Sequence, residues 1–198
     1  MLTDLNVINN QLAAIGQAPI TDLTRPNRLV SIGLEKLRAA NARIQAEGWW
    51  FNLTKLRLIP GAGPDFDVAA QLPVNTSELE GPAGYTMRKA GAVVYILDQR
   101  TGDRVARATE VLVRAELPFN DLPALAASAI SDAAVADFVR DQAPGDVGTY
   151  ERTAARSYSR LNAEHISRVA ANMLNTSFAQ HALYWNRGHR PYLSTGPR

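Results

Sequence analysis

The sequence predicts a mainly α-helical protein: a four-helix bundle interrupted by a small antiparallel β-region and followed by an extended C-terminal tail. Three observations carry that prediction. Four segments place apolar residues at steps of three and four, the spacing of one helix face. The helical period is lost over residues 49–116, where short alternating stretches are parted by Gly and Pro, the pattern of strands and turns. Residues 177–198 hold aromatic and basic side chains, no acid, and Gly and Pro at intervals, which suits an extended segment. The bundle is therefore assigned to residues 1–48 and 117–176, the inserted β-region to 49–116 and the tail to 177–198.

Each element has its own signals. Thr3 is a plausible N-cap, with Asp4 in the first turn where a negative charge suits the helix dipole. Leu5, Ile8, Leu12 and Ile15 form one stripe, and Gly16 and Pro19 end it. A second helix is expected over about 26–47, with Pro26 in its first turn and Leu29, Ile32, Leu37, Ala40 and Ile44 on the buried face. Gly33 in its middle suggests close approach of another helix. Trp49 to Ile59 reads as a strand, with a bulge where the alternation slips at Thr54-Lys55. Ala92 to Leu97 is the clearest later strand. Arg100-Thr101-Gly102-Asp103 reads as a hairpin turn, and Thr109 to Arg114 as the returning strand. A third helix follows a cap at Asn120 or Asp121, with Pro123 in its first turn. Its run is Leu125, Ala126, Ala129, Ile130, Ala133, Ala136 and Val139, stopped at Ala143-Pro144-Gly145. The last helix is expected to start near Thr149. Its inner stripe is Ala154, Tyr158, Leu161, His165, Val169 and Met173.

Composition narrows the function. The 198 residues carry 21 Lys+Arg against 19 Asp+Glu, a formal charge of +2, with 46% hydrophobic residues. That is an ordinary globular balance and argues against disorder. With no cysteine, disulfides, thiolate zinc sites, iron–sulfur clusters and cysteine nucleophiles are excluded together. Charge this near zero argues against a surface that grips nucleic acid all over. The 18 arginines against 3 lysines leave room for a local patch. No secretory start and no uninterrupted apolar span is expected: the most apolar stretch, Leu122 to Val139, holds Asp132 and Asp137.

No catalytic centre stands out. There is no Gly-x-Ser-x-Gly elbow and no His-Glu-x-x-His. His165, His181 and His189 all lie in the last 34 residues. His165 sits on the inner stripe, where a satisfied structural histidine is expected. Gly61-Ala62-Gly63 begins like a dinucleotide fingerprint, but Phe66 takes the third glycine position. Asp65 and Asp67 offer a carboxylate pair of the kind a glycan hydrolase uses, although turn-capping is the plainer reading. No cofactor and no metal is expected.

Two features rise above background. Arg152, Arg156, Arg160, Glu164 and Arg168 recur at intervals of four, which places them on one helical ridge. It is either a solvated face or a ridge that meets an acidic partner or a phosphate backbone. Phe178, Tyr184, Trp185, Arg187, Arg190 and Tyr192 in the tail are side-chain types enriched at interface hot spots. They either fold back on the bundle or dock on a neighbouring chain.

At this point the motifs align with a family. Ile8-Asn9-Asn10-Gln11-Leu12-Ala13-Ala14-Ile15-Gly16-Gln17-Ala18-Pro19-Ile20-Thr21-Asp22-Leu23 resembles the opening signature of tail tubular protein A from short-tailed, double-stranded DNA bacteriophages. Gly48-Trp49-Trp50-Phe51-Asn52 resembles that family's Gly-Trp-x-Phe-Asn exit from the second helix. Tyr95 to Thr101 is similar to its Tyr-Asp-Arg hairpin, with the three residues here not adjacent. Leu122-Pro123-Ala124-Leu125 and the stretch from Glu151-Arg152 to Asn162 fit more loosely. The resemblance spans about residues 5–175. It implies a head-to-tail connector, an adaptor or gatekeeper that catalyses no reaction. Such proteins form a dodecameric ring in the virion neck, between the portal protein and the tail nozzle, a tail tubular protein B-like partner. Double-stranded DNA passes through without specific binding. The implied partners are the portal, sister subunits and the nozzle, with assembly in the host cytoplasm and no membrane. The tail residues Phe178, Tyr184, Trp185, Arg187, Arg190 and Tyr192 are expected to grip the portal. The competing reading is a nucleic-acid-binding protein using the arginine ridge; a hydrolase using Asp65 and Asp67 ranks lower.

Overall fold

The hydroxyl of Thr3 opens α1 (Asp4–Ala14) by accepting from the Asn6 backbone N–H, while the Asn6 side chain accepts from the Thr3 N–H at 3.0 Å. This reciprocal pair satisfies two N–H groups that a helix start leaves open. At the other end Gly16, at φ +74°, lets Gln17 N–H reach back to the Leu12 carbonyl at 2.9 Å. Only glycine adopts that left-handed backbone cheaply. The structure, a computed structural model, describes residues 2–24, 27–59, 75–80, 85–90, 93–103, 109–143, 145 and 147–173.

Four helices flank a β-region in the expected order: α1, α2 (Arg28–Gln45), then β1 (Leu53–Leu58), β2 (Thr76–Glu80), β3 (Tyr85–Ala90), β4 (Val93–Asp98) and β5 (Thr109–Ala115), then α3 (Ala124–Gln142) and α4 (Val147–Met173). α3 is the hub. α1 and α2 pack on each other and on it, and α4 packs chiefly on α3. Expected as a one-faced helix, α3 is buried on several sides, at Ala126, Ala127, Ala129, Ile130, Ala134, Val135, Ala136, Phe138 and Val139. Its alanines let neighbouring backbones come close, whereas Leu125 points outward at 39% exposure. The main core joins Val7, Leu37, Ile44, Trp49, Phe119, Leu122, Ile130 and Leu161; a smaller one joins Ile8, Leu12 and Val30.

Several boundaries move, each for a local reason. α2 starts at Arg28, two residues after the expected 26: Asn27 caps it, its Oδ1 accepting from Leu29 N–H at 2.9 Å, and Pro26 lies outside the described residues. Residues 49–52 form a turn rather than the start of the strand. Asn52 Oδ1 accepts from Trp49 N–H at 2.7 Å and Leu53 N–H donates to the Trp49 carbonyl at 3.1 Å. The expected bulge at Thr54-Lys55 is absent, because β1 pairs with β5 residue for residue from Leu53↔Arg114 to Leu58↔Thr109. The irregularity falls instead on β2, between Thr76 and Glu78. The turn at 100–103 is present, with Asp98 N–H donating to the Asp103 carbonyl at 2.9 Å. β5 nevertheless does not return along β4. It sits between β1 and β2 in a three-stranded antiparallel sheet, while β3 and β4 form a separate ribbon. Phe119–Asp121 is a short 3₁₀ turn, and Pro123 occupies the N-cap position of α3 in place of Asn120 or Asp121. α4 starts at Val147, two residues before Thr149.

Candidate interaction surface

The 27-residue α4 is long for its support. At a rise of 1.5 Å per residue it runs about 40 Å, against about 28 Å for the 19 residues of α3. Its inner side carries the expected stripe. Leu161 is fully buried, and Ala154, Tyr158, His165 and Val169 are partly buried. Ser157 donates to Asp132 of α3, and Tyr158 donates to Glu47 at the end of α2.

Beyond the start of α3, α4 meets the turn after α2. Gly48, at φ +76°, swings the chain so that Trp49 is buried and Trp50 lies nearer the surface. Trp49 Nε1 donates to the Ile44 carbonyl at 2.6 Å. His165 sits against both indoles, edge-on to Trp49 at 5.4 Å and stacked on Trp50 at 6.2 Å. Tyr158 meets Trp49 edge-on at 5.8 Å, and the Arg168 guanidinium lies 5.0 Å from the Trp50 ring centre, within cation–π range. Burial pushes the Tyr158 hydroxyl well above the usual tyrosine range, and the Glu47 carboxylate adds to it. Burial also holds His165 below the usual histidine range. The satisfied histidine expected from its stripe position is only half found: the ring is packed, yet Nδ1 is buried with no hydrogen-bond partner among the described residues.

On the outer side Arg152, Arg156 and Arg160 are exposed, and the column winds round the helix through the half-buried Glu164 to the exposed Arg168 beside Trp50. Successive members of the column stand about 6 Å apart along the axis. Arg168 is held by Glu164 at 2.7 Å, and Arg152 donates to the Thr149 hydroxyl at 3.2 Å. Neither Arg156 nor Arg160 has an acidic partner among the described residues. Ala155, Ser159 and Ala163 run beside the column, also exposed, and Ile166 is 47% exposed.

The other residues singled out in the sequence lie elsewhere. Phe178, Tyr184, Trp185, Arg187, Arg190 and Tyr192 fall outside the described residues, as do Asp65 and Asp67. Among the described residues no His, Asp and Glu side chains gather into a metal site, and no helix is long and apolar enough to cross a membrane.

A set of buried polar residues was not legible as a group. Where the chain leaves and re-enters the bundle, the Gln45 amide pairs with the Leu117 backbone in both directions at 2.8 Å, and Asn41 donates to the same carbonyl at 3.3 Å. Asn52 donates to the Gln45 carbonyl at 2.8 Å, and Arg114 of β5 donates to the Ala46 carbonyl, where a cation suits the helix end. Ala115 N–H donates to the Asn52 carbonyl at 3.0 Å. The signal, in hindsight, is Asn41 and Gln45 flanking Ile44 on an apolar stripe. Asn9 makes a second clamp, pairing both ways with the Ile20 backbone at 2.8 and 3.0 Å.

Asn9, Gly16, Gly48, Trp49 and Asn52 thus fold the chain, whereas the outer side of α4 is exposed. A family model described as tail tubular protein matches residues 5–183. No curated protein matches the chain.

Proposed function

The chain belongs to the tail tubular protein family, and from that premise we propose that it is a head-to-tail connector subunit, part of a ring between the portal and the tail nozzle. The family makes it a structural component of a phage tail that assembles with other tail proteins. The finer reading places twelve copies around the DNA exit channel, assembled in the host cytoplasm, with the portal on one side and a tail tubular protein B-like nozzle on the other. No bond is made or broken in this role.

One observation supports it beyond the family match. α4 packs chiefly on α3, and its outer side carries Arg152, Arg156 and Arg160, small residues and the exposed Ile166. A monomer gains nothing from leaving so long a helix uncovered, whereas a ring subunit needs one face for the DNA channel and unlike faces for its neighbours. In the same reading the tail residues Phe178, Tyr184, Trp185, Arg187, Arg190 and Tyr192 grip the portal, since aromatics and arginine dominate interface energies. Electron microscopy of the purified protein, alone and mixed with its portal, tests the reading. A twelve-fold collar on the portal is expected. A protein that stays solitary with the portal present overturns it. A chain ending at Asn175 is expected to lose portal attachment, and undiminished affinity would remove the tail from the interface.

A further inference from the structure

We propose that the outer ridge of α4 is a phosphate-facing surface, on which Arg152, Arg156 and Arg160 contact the backbone of duplex DNA without reading its sequence. The inference takes its setting, a ring around DNA, from the connector reading above.

Charge accounting leads to it. Among the described residues most acids already have partners within the chain. Asp137 pairs with Arg43 and Arg140, Asp141 with Lys36, Glu151 with Arg140, Glu110 with Lys55, and Glu164 with Arg168. Asp132 and Glu47 accept from Ser157 and Tyr158. Asp22, Asp98 and Glu116 accept from Thr24, the Arg100 N–H and Asn41. Of the acids with described side chains Asp4, Glu35, Asp103 and Asp121 remain, one each on α1, α2, the turn after β4 and the 3₁₀ turn. These four stand on four different elements, so the acids with described side chains leave no row of free carboxylates to match a row of arginines. The ridge keeps three exposed guanidinium groups, Arg152, Arg156 and Arg160, with no ion pair to an acid among the described residues. Lined up at four-residue intervals, like charges repel within the helix, so the column weakens the element that carries it. A polyanion relieves that repulsion.

Duplex DNA is the polyanion that fits. It presents about one phosphate per 1.7 Å of axis, so a column inclined to the helix axis, with members about 6 Å apart along it, finds phosphates within reach at any sequence. The low side chains of Ala155, Ser159 and Ala163 beside the column let a broad cylinder approach the helix. Apart from the arginines themselves, no exposed aromatic or amide among the described residues of this face can read base edges. The contacts are therefore electrostatic and screened by salt, which holds a passing duplex away from the wall without fixing it.

The test is fluorescence anisotropy of labelled random-sequence duplex with the full chain, titrated at several salt concentrations. Wild type is expected to bind at low ionic strength. The variant R152Q/R156Q/R160Q is expected to bind at least about tenfold more weakly, with the slope of log affinity against log salt shallower by about 2.7, because three phosphates are no longer neutralised. R152K/R156K/R160K is expected to keep the binding and the slope, because point charges suffice, and this separates charge from packing. Circular dichroism confirms that each variant folds. No duplex binding by wild type, or a glutamine variant that binds as wild type does, overturns the inference. So does a glutamine variant that keeps duplex binding but no longer joins sister copies in a ring, since the ridge is then a protein interface. The outcomes separate from those of the connector reading. Rings on the portal with duplex binding unchanged by the glutamines refute the ridge alone, and solitary protein with the expected salt slope refutes the ring alone.

Discussion

Gly33 shows how little room one atom has. A methyl group there would lie 2.3 Å from Gln11 Oε1 and 2.9 Å from Ile8 Cδ1. Gln11 is buried and donates to the carbonyls of Gly33 and Ala134 at 3.2 and 3.3 Å, so swinging it aside gives up both hydrogen bonds. Alanine is the better helix former by about 1 kcal/mol, yet Gly33→Ala is expected to lower stability by about 1–3 kcal/mol through overpacking. Urea denaturation checks this. Adding Gln11→Ala is expected to cost less in the Gly33→Ala background than alone, because the two share one space. His165 gives a second residue-scale expectation. Its pKa is lowered in the folded state by burial between the indoles of Trp49 and Trp50. The unfolded chain therefore takes up the proton first as pH falls, and the folded state loses ground. Stability is full above the ordinary histidine pKa of about 6.5 and declines below it until the folded state is protonated too. Thermal midpoints measured from pH 7.5 to 5 are expected to fall, and His165→Phe is expected to remove this histidine's share of that decline.

At the scale of elements, the turn after α2 decides how the β-region is attached. Asn52 is buried and serves both Trp49 N–H and the Gln45 carbonyl. Asn52→Ala is expected to cost about 1–3 kcal/mol for each backbone group left unpaired, and to change the near-ultraviolet dichroism of Trp49 and Trp50, whose rings that turn positions. Trp signals unchanged in a destabilised variant would place the damage elsewhere. The ridge of α4 predicts the opposite sign. Arg156→Gln removes like-charge neighbours at spacing four on each side, and glutamine is about as good a helix former, so a gain of about 0.2–0.5 kcal/mol is expected at low salt. The gain should shrink as salt rises, which thermal melts at two ionic strengths will show.

For the whole molecule, the clamp of Asn41, Gln45, Asn52 and Arg114 ties both ends of the inserted β-region to the end of α2. These amides and this guanidinium are buried, so pulling the sheet off the bundle strands several polar groups at once. The three-stranded sheet and the bundle are therefore expected to unfold together, with far- and near-ultraviolet dichroism tracing one transition. Two separated transitions would show that the clamp is weak.

How much of this was legible follows from which interactions are local. Helix order, most helix ends, the tight turn at 100–103 and the close approach at Gly33 are written in spacing and in single residues, because caps and periodic stripes act within a few positions of chain. The same holds for the arginine column, whose members share a ridge by helical geometry alone. What the sequence did not determine depends on partners far away in the chain. β5 pairs with β1 and β2 rather than β4, and no local pattern ranks those edges. Trp49 to Asn52 looks like a strand by composition, yet Asn52 folds it into a turn that buries Trp49 against α4. α3 reads as one-faced, but three helices pack on it, so tertiary burial overrides its apparent polarity. The buried amides of α2 became intelligible only when Leu117, more than seventy residues on, arrived beside them: a polar group on an apolar stripe finds its partner in space, and spacing along the chain carries no record of it.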